Sequence, residues 1–250
     1  MKIIGVIPAR YQSSRLPGKP LADICGRPML WWVYQQMKKV EGFADIYIAT
    51  DDERIEKVCK EHKIPVIMTS EKHRNPTERT HEIATKVQGD IYVFVGGDEP
   101  LIESDAISKV IHCACTTPDF FVANAMTSVK KPAEVIDFAN IKMIANECGD
   151  GLYASRSPLP YPQGTLDYVY KKFVGICALS KEALEFFVTT PQSLLEKTEE
   201  CDLIRFIEHK KPLKFVDVES WTLSVDTPKD LEYVRGVIRN WVEREKNKSV

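Results

Sequence analysis

Three cations fall within ten residues near the start of the chain: Arg10, Arg15 and Lys19, interleaved with Ser13, Ser14 and Gly18. Cations supply charge, and small residues let backbone N–H groups approach phosphate oxygens, so the stretch suits a polyanion. The same composition also suits a solvated basic loop, and charge alone does not separate the two. A second acidic candidate is the pair Asp51-Asp52, which could hold a metal; a strand-end loop with Asp52 as a helix cap explains it more simply. None of the five histidines joins a recognisable catalytic triad or metal pattern.

The elements that must position these residues alternate. An apolar, β-branched run at residues 3–7 ends at Pro8 and reads as a buried strand feeding the basic loop. Helical spacing follows at 28–40, with Pro28 suited to a first turn. A strand at 45–50, a helix at 53–62 and a strand at 65–68 come next. A helix at 78–87 follows, with Asn75 or Thr77 available as its cap, and then a strand at 91–95. The predicted class is α/β: a mostly parallel twisted sheet flanked by helices. Functional loops in such sheets gather at the carboxyl ends of the strands, which would put the 8–19 loop, Asp51 and the 96–100 turn on one edge.

Further along, the pattern predicts a helix at 104–112 and strands at 120–126, 139–145, 173–179 and 213–218. It also predicts a polar, tyrosine-rich flap at 161–172 and helices at 181–187 and 196–209. A last helix is capped around 226–230 and ends near residue 244, before a charged tail. No repeat, low-complexity segment or interdomain linker interrupts the 250 residues, which read as a single domain.

Lys+Arg 34 against Asp+Glu 36 leaves a net charge of −2, so no global basic field advertises nucleic acid. No stretch approaches the ~20 apolar residues of a membrane span, and residues 1–7 do not read as a signal peptide. Seven scattered cysteines without a C-x-x-C pair read as free thiols, which points to the cytoplasm.

The order of residues in the basic loop says more. Ile7-Pro8-Ala9-Arg10-Tyr11-x-Ser13-Ser14-Arg15-Leu16-Pro17-Gly18-Lys19-Pro20-Leu21 resembles the amino-terminal signature of the CMP-Kdo synthetases, cytidylyltransferases that activate the sugar acid 3-deoxy-manno-octulosonate (Kdo). Three more stretches resemble that family: Gly96-Gly97-Asp98-Glu99-Pro100, Tyr153-Ala154-Ser155-Arg156-Ser157-Pro158-Leu159-Pro160, and Val225-Asp226-Thr227-Pro228-x-Asp230-Leu231. In the family's order, the four span residues 3–231.

The resemblance implies a Rossmann-like nucleotidyltransferase fold, with a small mixed α/β lobe for acceptor binding and dimerisation within about 126–215. It implies transfer of CMP from CTP to Kdo or a related sugar acid, with release of pyrophosphate, by a homodimer. Positioning and charge neutralisation dominate such chemistry. Arg10, Ser14, Arg15 and Lys19 would hold the triphosphate; Pro8, Ala9, Asn75, Thr77 and Arg79 would meet base and ribose. Asp98 and Asp226 would share Mg²⁺. Each has a local alternative, Asp98 as a turn residue and Asp226 as a helix cap. Arg156, Lys142 and Asp202 would face the anionic acceptor. On this reading Arg15, Lys19, Asp98 and Asp226 are the catalytic set.

Five positions depart from the family pattern. Asn75-Pro76 stands for Ser-Gly, Gly96 for a glutamine, Phe173 for a histidine, and Leu203 for a glutamine. The triphosphate side is kept while polar groups on the acceptor side change, which predicts an acceptor differing from Kdo in hydroxyl pattern or size. The same CTP chemistry on another sugar acid or a phosphonate, or an inactive nucleotide-binding relative, are the alternatives.

Overall fold

The computed structural model describes residues 1–12, 16–220 and 223–248, with side chains as far as residue 244. Strand β1 (Ile3–Ala9) leads to a 3₁₀ turn at Lys19–Leu21, short strands β2 (Asp23–Ile24) and β3 (Arg27–Pro28), and helix α1 (Met29–Lys38). There follow β4 (Phe43–Thr50), α2 (Glu53–Glu61), β5 (Val66–Met68), α3 (Pro76–Lys86), β6 (Ile91–Val95) and α4 (Ser104–Thr116). Next come β7 (Val122–Ser128), α5 (Pro132–Ile136), β8 (Lys142–Ala145), β9 (Gly151–Ser155) and β10 (Lys171–Ser180). Helices α6 (Lys181–Thr189), α7 (Leu194–Glu199) and α8 (Leu203–Glu208), strand β11 (Leu213–Asp217) and helix α9 (Pro228–Lys248) end the described chain.

The main path of the sheet runs β11-β7-β10-β6-β1-β4-β5. β1 lies parallel to β4 and β6, β4 to β5, and β11 to β7. β10 is inserted antiparallel between β6 and β7, and the β8–β9 pair hangs from it. The mostly parallel, helix-flanked sheet is therefore as predicted. From β1 the chain moves to β4 and β5, then crosses back to β6 on the other side of β1. A crevice opens at such a reversal, outside the carboxyl ends of β1 and β6.

Period-two alternation in β1 explains why this strand is central. Ile3 and Ile7 join the core that packs α1, α2 and α4 on one face; Ile4 and Val6 join the core with α3, α6 and α8 on the other. A third cluster seats α9 against Ile24, Met29 and Leu101 through Leu231, Val234 and Ile238.

Several predicted elements shift. Pro28 stands one residue before α1, in an extended conformation (φ −66°, ψ 149°), rather than inside its first turn. α3 begins earlier, at Pro76, because the Asn75 side chain accepts from Glu78 N (2.8 Å) and a proline at the first helical position lacks only an N–H that would be unpaired there. α4 runs to Thr116, and β10 starts at Lys171 inside the expected flap. The helix expected at 196–209 is two helices. Glu200 between them has φ 46° and ψ 52°, a left-handed conformation that breaks the hydrogen-bond ladder. α9 continues to Lys248, past the expected end at 244.

Candidate active site

The first turn after β1 is built around Gly18, whose φ of +69° disfavours any residue with a Cβ. Its N–H donates to Tyr11 O at 2.9 Å, closing the base of the loop. Lys19 follows at the start of the 3₁₀ turn, and its ammonium crosses the crevice. After β6, Gly97 lets the next turn approach β1: a Cβ there would lie 2.9 Å from Pro8 O. Asp98 comes next, and its carbonyl accepts from Val225 N at 2.8 Å, which brings Asp226 alongside.

The result is a three-residue cluster from distant parts of the chain. Lys19 Nζ donates to Asp98 Oδ2 at 2.6 Å and to Asp226 Oδ1 at 3.2 Å. Burial acts to lower the Lys19 pKa, but the two carboxylates outweigh it and the net shift is upward, so the ammonium stays charged. Helix α9 has a cap within its own first residues. Asp230 accepts from Thr227 N and from Thr227 Oγ1, and Asp230 N donates back to Thr227 Oγ1 at 3.2 Å, a reciprocal cap.

The donor set fits a divalent cation. Two hard-oxygen carboxylates converge on one position, now held by an ammonium, and remain about a third exposed (33% and 29%). Among the described residues no cluster of three or more His, Cys, Asp or Glu forms. Two protein carboxylates with phosphate or water completing the shell is how Mg²⁺ is commonly held.

Other predicted site residues have different surroundings. Pro8 and Ala9 end β1, and Arg10 is exposed just beyond it. Ser14 and Arg15 lie outside the described residues. Asn75 caps α3 through its side chain. Thr77 is buried and donates to Asp202 Oδ2 at 2.9 Å. Arg79, 1% exposed, pairs with Asp51 Oδ2 at 2.7 Å, so it fixes the start of α3 to the end of β4. Asp52 caps α2 by accepting from Arg54 N, as predicted.

On the acceptor side, three Arg156 N–H groups donate to backbone carbonyls of Glu199, Phe138 and Glu200. Lys142 is buried, with Nζ donating to Asp137 O (3.0 Å) and Asn140 O (2.6 Å); burial lowers its pKa, against the pull of Asp137. Burial pushes the Asp202 carboxyl up to about 6. Leu203 is 4% exposed inside the core with Phe206, so the glutamine expected there by resemblance has become packing.

Sequence reasoning quoted Glu99 without giving it a role. It is 6% exposed, and its carboxylate accepts from Gly175 N at 2.9 Å while Gly96 N donates to Gly175 O at 2.8 Å. Those bonds clamp β10 to the turn that carries Asp98. Lys171 and Lys172, paired with Asp217 and Glu134, were also hidden in the predicted flap.

A mostly parallel sheet with a basic turn after β1 and two acidic residues meeting at its carboxyl edge is the nucleotidyltransferase fold. The cytidylyltransferase family model matches residues 4–215, and the chain belongs to that family. It is 37% identical over 237 residues to the 3-deoxy-manno-octulosonate cytidylyltransferase of Escherichia coli, covering 95% of this chain and 96% of that one. It is likewise 37% identical over 236 residues to the 8-amino-3,8-dideoxy-manno-octulosonate cytidylyltransferase of a Shewanella strain, W3-18-1, covering 92% and 96%. A solved CMP:2-keto-3-deoxy-manno-octonic acid synthetase complexed with CTP superposes with a TM-score of 0.91 at 36% identity, covering 96% of this chain and 99% of that one.

Proposed function

We propose that this protein transfers CMP from CTP to a Kdo-type sugar acid and releases pyrophosphate. The observation that carries the reading is the Lys19–Asp98–Asp226 cluster at the β1/β6 crevice, in a chain similar along most of its length to enzymes named for that reaction. Lys19, with Arg10, Ser14 and Arg15, holds the triphosphate and orients its α-phosphorus toward the acceptor. An acceptor hydroxyl oxygen forms the new P–O bond, giving up its proton to solvent, as the bond to pyrophosphate breaks. Asp98 and Asp226 would hold Mg²⁺, which would neutralise phosphate charge. Glu99 keeps the Asp98 turn in register through β10.

Pro8 and Ala9 border the base and ribose. Thr77 and Arg79 act behind them by fixing α3. Arg156, Lys142 and Asp202 belong to the acceptor lobe at about 126–215. We place the protein in the cytoplasm: all seven thiols are free, and Cys59, Cys177 and Cys201 are buried. No described helix is long and apolar enough to cross a membrane. We also propose a homodimer; Leu179, Leu184 and Phe187 are buried in the chain's own core and offer it no surface. Exposed apolar side chains at Ile136, Phe138, Tyr161, Leu166 and Val169 are the better candidates.

A pyrophosphate-release assay with CTP, Mg²⁺ and a panel of acids tests the function. The panel is Kdo, its 8-amino-3,8-dideoxy analogue, other sugar acids and small phosphonates. Release with a Kdo-type acid is expected; release only with a phosphonate, or with none, overturns the reading.

A further inference from the structure

We propose that Tyr11 and Arg54 are positioning residues for the triphosphate: the Tyr11 ring, stacked on the Arg54 guanidinium and close against Gly18, is the back wall that fixes Lys19. The proposal rests on the reading of Lys19 as a triphosphate ligand.

The ring has two defined neighbours. Arg54 Cζ lies 3.3 Å from the Tyr11 ring centroid, within stacking distance. Arg54 is itself held flat: Asp52 Oδ1 accepts from Nε at 2.9 Å and Oδ2 from Nη2 at 2.6 Å, a two-point grip. The same Asp52 caps α2, so the guanidinium is referenced to a helix terminus rather than to a loose loop. A Cβ on Gly18 would meet Tyr11 Cζ and Oη at 3.1 Å, so the ring leaves room for a glycine and no larger residue. Gly18 N–H is also bonded to Tyr11 O.

Gly18 is in the left-handed conformation close to the ring, and Lys19 is the next residue. α2, which carries Arg54, also packs against the Lys19–Leu21 turn. Asp51 and Asp52 divide the labour: Asp51 anchors Arg79 of α3, and Asp52 anchors Arg54 and, through it, the loop. Arg54 keeps 60% of its side chain exposed, so core packing does not explain its fixed orientation.

CTP affinity measured by calorimetry on the full chain with Mg²⁺, together with steady-state constants for both substrates, tests the proposal. Tyr11→Ala should weaken CTP binding about tenfold or more while the acceptor KM stays within about twofold. Tyr11→Phe should rescue CTP binding, because the ring and not the hydroxyl forms the wall. Arg54→Ala alters an exposed side chain and should weaken CTP binding roughly three- to fivefold with little change in Tm, which keeps the test valid if Tyr11→Ala fails to fold. Folded variants with CTP affinity within about twofold of wild type, or with CTP and acceptor constants moving together, overturn the proposal. Wild-type protein that does not bind CTP overturns the underlying reading of the site before any variant is compared.

Discussion

Lys19 Nζ and Asp98 Oδ2 are 2.6 Å apart although 79 residues separate them in sequence, and Asp226 completes the contact at 3.2 Å from the other side. The ammonium sits where two carboxylates converge, which is also where a divalent cation is expected. A lysine and a metal cannot share that position, so nucleotide phosphates that draw Lys19 away should open the carboxylate pair to the metal.

That competition is measurable without turnover. Lys19→Met should raise the Mn²⁺ affinity of nucleotide-free protein by about tenfold or more, given that a unit charge at ~4 Å contributes several kcal/mol near a protein surface. Electron paramagnetic resonance of free Mn²⁺ reads the binding. Equal or weaker binding in the variant would show that the ammonium does not guard the site.

Loss of either carboxylate should cripple the reaction. Asp98→Asn and Asp226→Asn are each expected to lower kcat roughly a hundredfold or more, the scale of losing one preorganised electrostatic group. Because Thr227 and Asp230 cap α9 between themselves, Asp226→Asn should leave that cap in place and helix content by circular dichroism unchanged. Full wild-type turnover in excess EDTA would sink the metal assignment.

Asp202 gives a pH prediction. Burial raises its carboxyl from the ordinary 3.8 to about 6, with Glu196 and Glu78 adding to the rise and Thr77 and Arg205 opposing it. Between those values the native state binds more protons than the unfolded chain, so stability falls as pH rises through the window. The cost is complete above about pH 6 and absent below about pH 4. Asp202→Asn keeps an oxygen for the Thr77 hydroxyl and removes the charge. Its Tm should exceed wild type at pH 7.5 and match it at pH 4; a difference independent of pH would refute the assignment.

The sheet was legible because β1, β4 and β6 are short apolar runs ending at polar turns, and Asp52 and Asn75 are cap types in cap positions. What remained hidden depends on pairs far apart in sequence. Arg79 was expected at base and ribose, and its pairing with Asp51 has no sequence signal; neither has the grip of Glu196 on Arg205 at 2.7 and 2.6 Å. The break at Glu200 carries no glycine or proline to announce it. Of the site, resemblance supplied the pairing of Asp98 with Asp226; spacing could not, since 128 positions separate them. The Tyr11–Arg54 stack had no local signal at all.

Light scattering at micromolar protein should give twice the 28.5 kDa chain mass. Charged substitutions at Phe138 and Leu166, which are 75% and 86% exposed, should shift the mass to one chain without lowering helix content. A monomer for the wild type would refute the dimer.

Of the positions that depart from the family pattern on the acceptor side, Leu203 is consumed by the core, whereas Phe173 is only half-buried, at the β10 end near the functional edge. At Gly96 a side chain would crowd the site, since its Cβ would begin 3.0 Å from Asp98 Oδ1. A phenylalanine cannot hydrogen-bond a hydroxyl, and a pocket that loses such a partner loses discrimination for the group it once held. Wild-type kcat/KM should therefore not favour Kdo over its 8-amino-3,8-dideoxy analogue or other altered sugar acids by as much as ten times. Phe173→His should raise the preference for Kdo by about three- to tenfold, the scale of one recovered hydrogen bond, and leave the CTP KM unchanged. If wild type already favours Kdo by ten times or more, the changed residues do not set acceptor choice, and Phe173 is packing alone.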